Sequence, residues 1–188
     1  LYGRGAGDMK AGLSAAIFAL DAIRAAGLEL TAPVQIHSVV EEEITGNGAA
    51  MALASGRVAD AVLIPEPTDE KLVRANSGVI KFAITLHGTP AHPIDIMGGV
   101  SAVDAAIRLI EHLRRLEARW NEERATKLFF DDVENPAALT IGTIIGGEWI
   151  ASLPSSCRFE GRIGFYPGDN PQERVREFEA FVASAAAE

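Results

Sequence analysis

The chain has 188 residues and a formal net charge of −9, enough for one ordinary domain or parts of two, and its acidic balance argues against nucleic acid, whose phosphates need a basic surface. With 48 % of residues apolar, a packed core is within reach; no apolar run approaches the roughly 18 residues of a membrane span, and no basic-then-apolar signal segment opens the chain. The single cysteine, Cys157, excludes an internal disulfide framework and points to a reducing compartment, with the cytoplasm as the default.

Taken in chain order, the first third reads as α/β. A glycine-rich leader, Gly3-Arg-Gly-Ala-Gly-Asp8, precedes a helix over residues 9–26 with Leu13, Ala16, Ile17, Leu20 and Ile23 at helical spacing and Gly27 as its stop. Val34 to Val40 reads as a strand that ends in Glu41-Glu42-Glu43, a short alanine-rich helix follows over about 48–55, and Ala61 to Ile64 reads as a buried parallel strand closed by Pro65. This alternation predicts a mostly parallel sheet with helices on its faces.

From about Ser77 the pattern changes. Ile80, Phe82, Ile84 and Leu86 alternate with Lys81, Ala83 and Thr85, predicting a strand with one buried face. An amphipathic helix is expected over 98–116 with Val100, Val103, Ile107, Ile110 and Leu113 as its apolar stripe, then a charged loop over 119–134. Two strands follow, about 138–145 and 157–165, and a last helix begins with Asn170 as cap, Pro171 in the first turn and Glu173 three after the cap. The order β-α-β-β-α predicts a ferredoxin-like split βαβ unit lacking its last strand, an inserted α+β domain. The expected division is residues 1–76 as a partial catalytic domain and 77–188 as the second domain. Both ends read as cut, since the chain begins at Leu1 rather than Met and finishes inside a predicted helix.

Three carboxylate sites carry the chemistry. Asp8 stands between a glycine-rich turn and a helix, where it serves equally well as a cap; its negative charge opposes a phosphate-binding reading of the leader. Glu41, Glu42 and Glu43 follow a strand directly, at the edge where α/β sheets place ligands, and like charges that close need a cation or a proton. Glu66 is held between Pro65 and Pro67 after the second strand. Converging on one rim, these carboxylates suit hard or borderline divalent cations.

Together with Leu86-His-Gly-Thr-Pro-Ala-His92-Pro93, and with Gly146-Gly-Glu-Trp149 running to Leu153-Pro-Ser-Ser-Cys157 and Tyr166-Pro-Gly168, these motifs resemble the co-catalytic zinc family of acetylornithine deacetylase, succinyl-diaminopimelate desuccinylase, aminoacylase and glutamate carboxypeptidase. The resemblance spans essentially the whole chain in the family's order. It implies a zinc-peptidase-like catalytic domain plus a lid that dimerises, and hydrolysis of amide bonds in N-acyl amino acids or short peptides. It implies two divalent ions, zinc first, with cobalt or manganese as alternatives. On the matching positions it assigns Asp8 to bridge both metals, Glu42 as general base, Glu43 and Glu66 as ligands of one metal each, and His92 as the lid histidine that steadies the oxyanion in a partner subunit's site. It also implies a cis peptide bond between Asp8 and Met9. Helix 98–116 is the candidate dimer helix.

Departures concern the substrate, whose binding residues stay unassigned. Ala151 stands where many relatives have asparagine, and Gly164 where many have arginine, with Arg158 and Arg162 nearby on the alternate face of the strand. The family's metal histidines match none of His37, His87 or His112, so the chain by itself is expected to be inactive and to bind zinc weakly. The competing readings are a non-catalytic dimerising or metal-binding module and, further off, a nucleotide-binding protein that uses the glycine-rich leader.

Overall fold

The computed structural model describes residues 2–187, and the chain forms two compact units that divide between Leu72 and Val73. In the first unit, a kinked turn over Ala6–Lys10 leads into α1 (Ala11–Ala25), and α2 spans Asn47–Ala54. Both helices end the same way. Gly27 (φ 69°) and Gly56 (φ 78°) take the left-handed conformation that glycine adopts without a Cβ penalty, and the next residue's N–H reaches back to the third carbonyl from the end: Leu28 to Ile23, and Arg57 to Ala52, both at 3.1 Å.

The two runs predicted as parallel strands depart from expectation. Neither Val34–Val40 nor Ala61–Ile64 is paired in a ladder among the described residues, and no parallel pairing occurs there. Val62, Leu63 and Ile64 are 77 %, 84 % and 68 % exposed rather than buried. Their sequences favour extended backbone, but a strand exists only where a neighbour takes its N–H and C=O groups. No described segment does so.

The second unit is a three-stranded antiparallel sheet backed by two helices. Strands β1 (Gly78–His87), β2 (Leu139–Gly146) and β3 (Ser156–Phe165) lie in the order β1-β3-β2, with α3 (Ala102–Glu122) between β1 and β2 in sequence and α4 (Pro171–Ala185) after β3. β3 pairs antiparallel with both neighbours, which leaves β1 and β2 parallel with β3 inserted between them: the split βαβ arrangement. A register shift between Ile141 and Thr143 marks a bulge in β2. Alternation along β1 is as predicted, Ile80 buried and Phe82, Ile84 and Leu86 half-buried, while Lys81, Ala83 and Thr85 are exposed.

α3 buries only part of the expected stripe: Leu113 lies in the core and Val103 and Ile110 pack against it. Its buried side chains are Ala102, Ala106, Leu109, Leu113, Leu116 and Trp120, whereas Val100 and Ile107 are 52 % and 49 % exposed. Two alanines let the helix backbone ride close to the sheet, and that proximity outweighs the larger area Ile107 would bury. The helix also runs further than predicted, to Glu122, with a 3-10 turn at Glu123–Thr126 where a loop was expected. Trp120 anchors this extension. It is 1 % exposed, its indole N–H donates to Glu177 at 3.0 Å, and its carbonyl accepts from the Tyr166 hydroxyl at 3.1 Å. Burying such a ring contributes roughly 1.5–3 kcal/mol. Ser101 caps α3 by accepting from Asp104 N, and Asn170 caps α4 by accepting from Gln172 N and Glu173 N, the latter cap as predicted.

Among the described residues no helix is long and apolar enough to cross a membrane.

Candidate active site

In the first unit, close backbone approaches bring the predicted carboxylates together. At Gly12, on the first turn of α1, a β-carbon would overlap the Pro65 carbonyl oxygen and lie 2.9 Å from Pro65 Cβ. Glycine there lets the start of α1 touch the loop that carries Glu66. At Gly48, in the first turn of α2, a β-carbon would overlap Val40 O and lie 2.6 Å from Val40 N, so α2 sits directly on the residues leading into the glutamate triplet. The Asp8–Met9 peptide bond is cis, as the resemblance implies.

The consequence is electrostatic. Partial burial, then Asp8 through its charge and a side-chain hydrogen bond, then the charges of Glu42 and Glu43 all push the Glu66 carboxyl above its usual range. Asp8, Glu42 and Glu43, drawn from two other motifs, thus act together on Glu66. Among the described residues, no three His, Cys, Asp or Glu side chains gather closely enough to hold an ion as they stand. The set fits a divalent cation by charge and oxygen-donor type, since a cation would relieve the crowding that otherwise favours a proton on Glu66.

The three adjacent glutamates are not equivalent. Glu41 adopts a left-handed backbone (φ 60°), its carbonyl accepts from Ile44, Thr45 and Gly46 N–H groups, and its carboxylate accepts from Thr45 Oγ1 (2.6 Å) and Asn47 Nδ2 (3.1 Å). It closes its own loop, and Glu42 and Glu43 remain as the pair whose charge reaches Glu66. Sequence reasoning saw a triplet; the signal that separates its members is Thr45 and Asn47, two donors spaced to fold back on Glu41.

His92 belongs to the second unit, in the segment between β1 and α3. Its Nδ1 accepts from Ile94 N at 3.3 Å, and its carbonyl accepts from Asp95 N at 2.8 Å. With Nδ1 occupied as an acceptor, the neutral ring carries its proton on Nε2 and presents a donor to solvent. The segment is braced on both sides. Thr89 and Val100 exchange two backbone hydrogen bonds of 2.8 Å, and Leu153 N donates to Ala91 O at 3.0 Å. At Gly88 a β-carbon would overlap Val100 O and lie 2.7 Å from Pro154 O and 2.8 Å from Ala102 N, so the end of β1, the start of α3 and the lead into β3 meet with no space between them.

That lead into β3 contains a residue sequence reasoning passed over as part of a motif. The Glu148 carboxylate accepts from both the hydroxyl and the N–H of Ser155, and these two bonds hold it below the usual carboxylate range. The remaining histidines lie elsewhere: His37 is exposed, with Nε2 3.1 Å from Gln35 Oε1, and His87 is exposed at the end of β1. The strand register also corrects one reading. Arg158, Arg162 and Gly164 lie on the same face of β3 rather than on opposite faces, the two arginines exposed and Gly164 buried, where a β-carbon would come within 2.8 Å of Pro136 O. Arg158 is itself paired with Glu160 at 2.7 Å.

Residues 74–188 match the model of the M20 peptidase dimerisation domain. The chain is 30 % identical to the N-formyl-4-amino-5-aminomethyl-2-methylpyrimidine deformylase of Halalkalibacterium halodurans, covering 99 % of this chain and 45 % of that protein. It is 31 % identical to an acetylornithine deacetylase of Pectobacterium carotovorum, covering 89 % of this chain and 43 % of that one. The chain spans less than half the length of the curated relatives it matches. In three dimensions it is similar to aminopeptidase PepT of Bacillus cereus, with a TM-score of 0.51 and 20 % identity over 96 % of this chain and 44 % of that one, a likeness of fold.

Proposed function

We propose, from the premise that this chain belongs to the M20 peptidase family, that it forms part of a metal-dependent hydrolase of amide bonds in N-acyl amino acids or short peptides. The observation that carries the reading is the field at Glu66, on which Asp8, Glu42 and Glu43 act from two other motifs far apart in sequence. Relatives named as a deacetylase and a deformylase support amide hydrolysis as the reaction class.

Asp8, Glu43 and Glu66 are the carboxylates that would hold divalent cations, zinc first. A bound pair supplies Lewis acidity toward a carbonyl and lowers the pKa of water toward about 7. The protein's own steps follow from side-chain chemistry. Glu42 accepts a proton from the attacking water and delivers it to the leaving amine as the C–N bond breaks. His92, with its proton on Nε2, donates to the carbonyl oxygen in a partner subunit's site as negative charge gathers there, a contribution worth about 3 kcal/mol when such a donor is lost.

The second unit is proposed as the lid and homodimer surface. β2 is an edge strand whose unpaired backbone groups can pair with another copy, and Ile144 (51 % exposed) on that strand and Ile107 (49 % exposed) on α3 are apolar positions with no partner in the core cluster.

Replacing Glu42 by Gln in the complete protein tests the reading. Turnover of N-acyl amino acids should disappear while two transition-metal ions per chain are retained. Retained turnover removes Glu42 from the mechanism, and a complete protein that binds no metal favours a non-catalytic dimerising module.

A further inference from the structure

Strand β2 has β3 on one side and, among the described residues, no strand on the other. Along such an edge the residues alternate: one sends its N–H and C=O to the neighbouring strand, the next sends both outward. Two bonds fix the phase. Gly164 N donates to Ala138 O at 3.2 Å and Gly147 N donates to Ser156 O at 3.3 Å, so Ala138 and Gly147 both face β3. Counting inward from each end, with the bulge between Ile141 and Thr143 absorbing the change of phase, the outward residues of β2 are Leu139, Ile141, Ile144 and Gly146.

At the start of the strand the outward groups are already taken, and side chains of α3 take them. Leu139 N donates to Glu117 Oε1 at 2.8 Å, and Leu139 O accepts from the Arg114 guanidinium at 2.6 Å. One outward step earlier, Ala137 N donates to Asn121 Oδ1 at 3.0 Å. Arg114, Glu117 and Asn121 follow one another at helical spacing, so they form a single row on α3. That row stands where a further strand would stand. It is also braced, since Glu117 accepts from Arg114 at 3.0 Å and from Asn135 at 2.9 Å. Burial opposes charge on Glu117, but the hydrogen bonds from Leu139, Asn135 and Arg114 hold its carboxyl below the usual range, so it remains an acceptor at neutral pH.

We propose that Arg114, Glu117 and Asn121 close this end of the sheet edge to strand addition and confine the pairing of β2 with a second copy of the chain to the stretch from Ile141 to Gly146. The second copy as occupant rests on the homodimer reading and on the match to a dimerisation domain; the closure rests on the bonds to Ala137 and Leu139. An edge open along its whole length admits many registers and many partners. A stop at one end removes every register that runs past Leu139. What is left is a short antiparallel stretch that a two-fold axis can pair with itself.

Hydrogen exchange of backbone amides in the complete protein tests the closure. In the unaltered protein Leu139 should exchange slowly and at one rate at every protein concentration, while Ile144 and Gly146 should slow as light scattering shows the dimer forming. Glu117→Ala should speed exchange at Leu139 about tenfold and leave Ile144 and Gly146 as they were. Glu117→Gln, which keeps an acceptor oxygen, should speed it much less. Slowing at Leu139 on dimerisation, or a Leu139 rate that Glu117→Ala leaves unchanged, overturns the proposal, because a partner strand rather than α3 then holds that amide. If Glu117→Ala does not fold, the concentration series on the unaltered protein decides by the same criterion. Ile144 and Gly146 that exchange fast at every concentration, with Leu139 still responding to Glu117→Ala, sink the reading of β2 as the dimer edge and leave the closure at Leu139 standing.

Discussion

Asp8 acts on Glu66 through its charge and a side-chain hydrogen-bonding interaction, both of which push the Glu66 carboxyl above its usual range. A shared proton is the simplest way to hold them together, and burial and the charges of Glu42 and Glu43 favour it on Glu66. The pH dependence follows from the direction of the shift. A carboxyl whose folded pKa lies above its unfolded value of 4.5 stabilises the fold fully below that value, and the contribution is lost as pH rises through the raised folded pKa. In chelator, the thermal midpoint of the first unit should therefore fall as pH is raised from 4 toward 8, and added zinc should restore it. Glu66→Gln should flatten both effects. Identical pH profiles for the two proteins would contradict the shared-proton account.

His92 makes a sharper prediction about which nitrogen matters. Because Ile94 N–H occupies Nδ1, the donor is Nε2. His92→Ala in the complete protein should lower kcat by about 10²–10³ with a smaller change in KM. His92→Gln, whose amide nitrogen reaches near the Nε2 position, should recover more activity than His92→Asn, whose amide nitrogen reaches near Nδ1. Equal rates for the two amide variants would remove the tautomer from the explanation.

The proposed dimer is checked at its apolar positions. Ile107→Lys and Ile144→Lys each place a charge on an exposed position outside the core, so the monomer fold should survive. Light scattering of the complete protein should show the dimer shifting to monomer, most strongly for the pair together. Dimers that persist through both changes would locate the interface elsewhere.

Arg174 tests what holds α4 to α3. Its side chain is 12 % exposed, and it pairs with Glu123, with Asp169 at 2.7 Å and with Glu177 at 3.0 Å, its guanidinium lying 5.0 Å over the Trp120 ring. Burial opposes the charged forms of Asp169 and Glu177, but hydrogen bonds from Lys127 and Arg174 to the first, and from Trp120 and Arg174 to the second, keep both carboxyls below their usual range. Their stabilisation is present above the unfolded values of 3.8 and 4.5 and is lost as pH falls through the lowered ones. Arg174→Met leaves half-buried carboxylates without their cation and should cost about 3 kcal/mol at pH 7. The difference from the unaltered protein should shrink below pH 4, as measured by urea unfolding of the second unit.

Legibility in the sequence tracked how local each signal was. α4 could be read outright, because Asn170, Pro171 and Glu173 are a self-contained start. β1 announced itself by alternation, and the order of elements gave the split motif. The stripe on α3 was legible at Val103, Ile110 and Leu113 but not at Val100 and Ile107, which outweigh alanine on any hydrophobic count, while the buried face depends on how near Ala102 and Ala106 let the helix come to the sheet. Residues 34–40 and 61–64 have strand-forming composition, yet pairing belongs to two segments at once and no local pattern contains it. The carboxylates were found by motif, and their convergence depended on Gly12 and Gly48, whose role appears only when Pro65 and Val40 are seen against them. Glu148 carried no signal, since its partner Ser155 becomes a neighbour only once the loop has closed.

The crowded junction at Gly88 bears on how such a protein can change over time. With no room there even for a methyl group, three chain segments move as a single chassis, and any mutation that reroutes one of them disturbs all three. Sequence change is thereby channelled away from the backbone and into the interchangeable fittings mounted on it. Exchanging an outward side chain on these segments leaves the frame that carries the imidazole untouched.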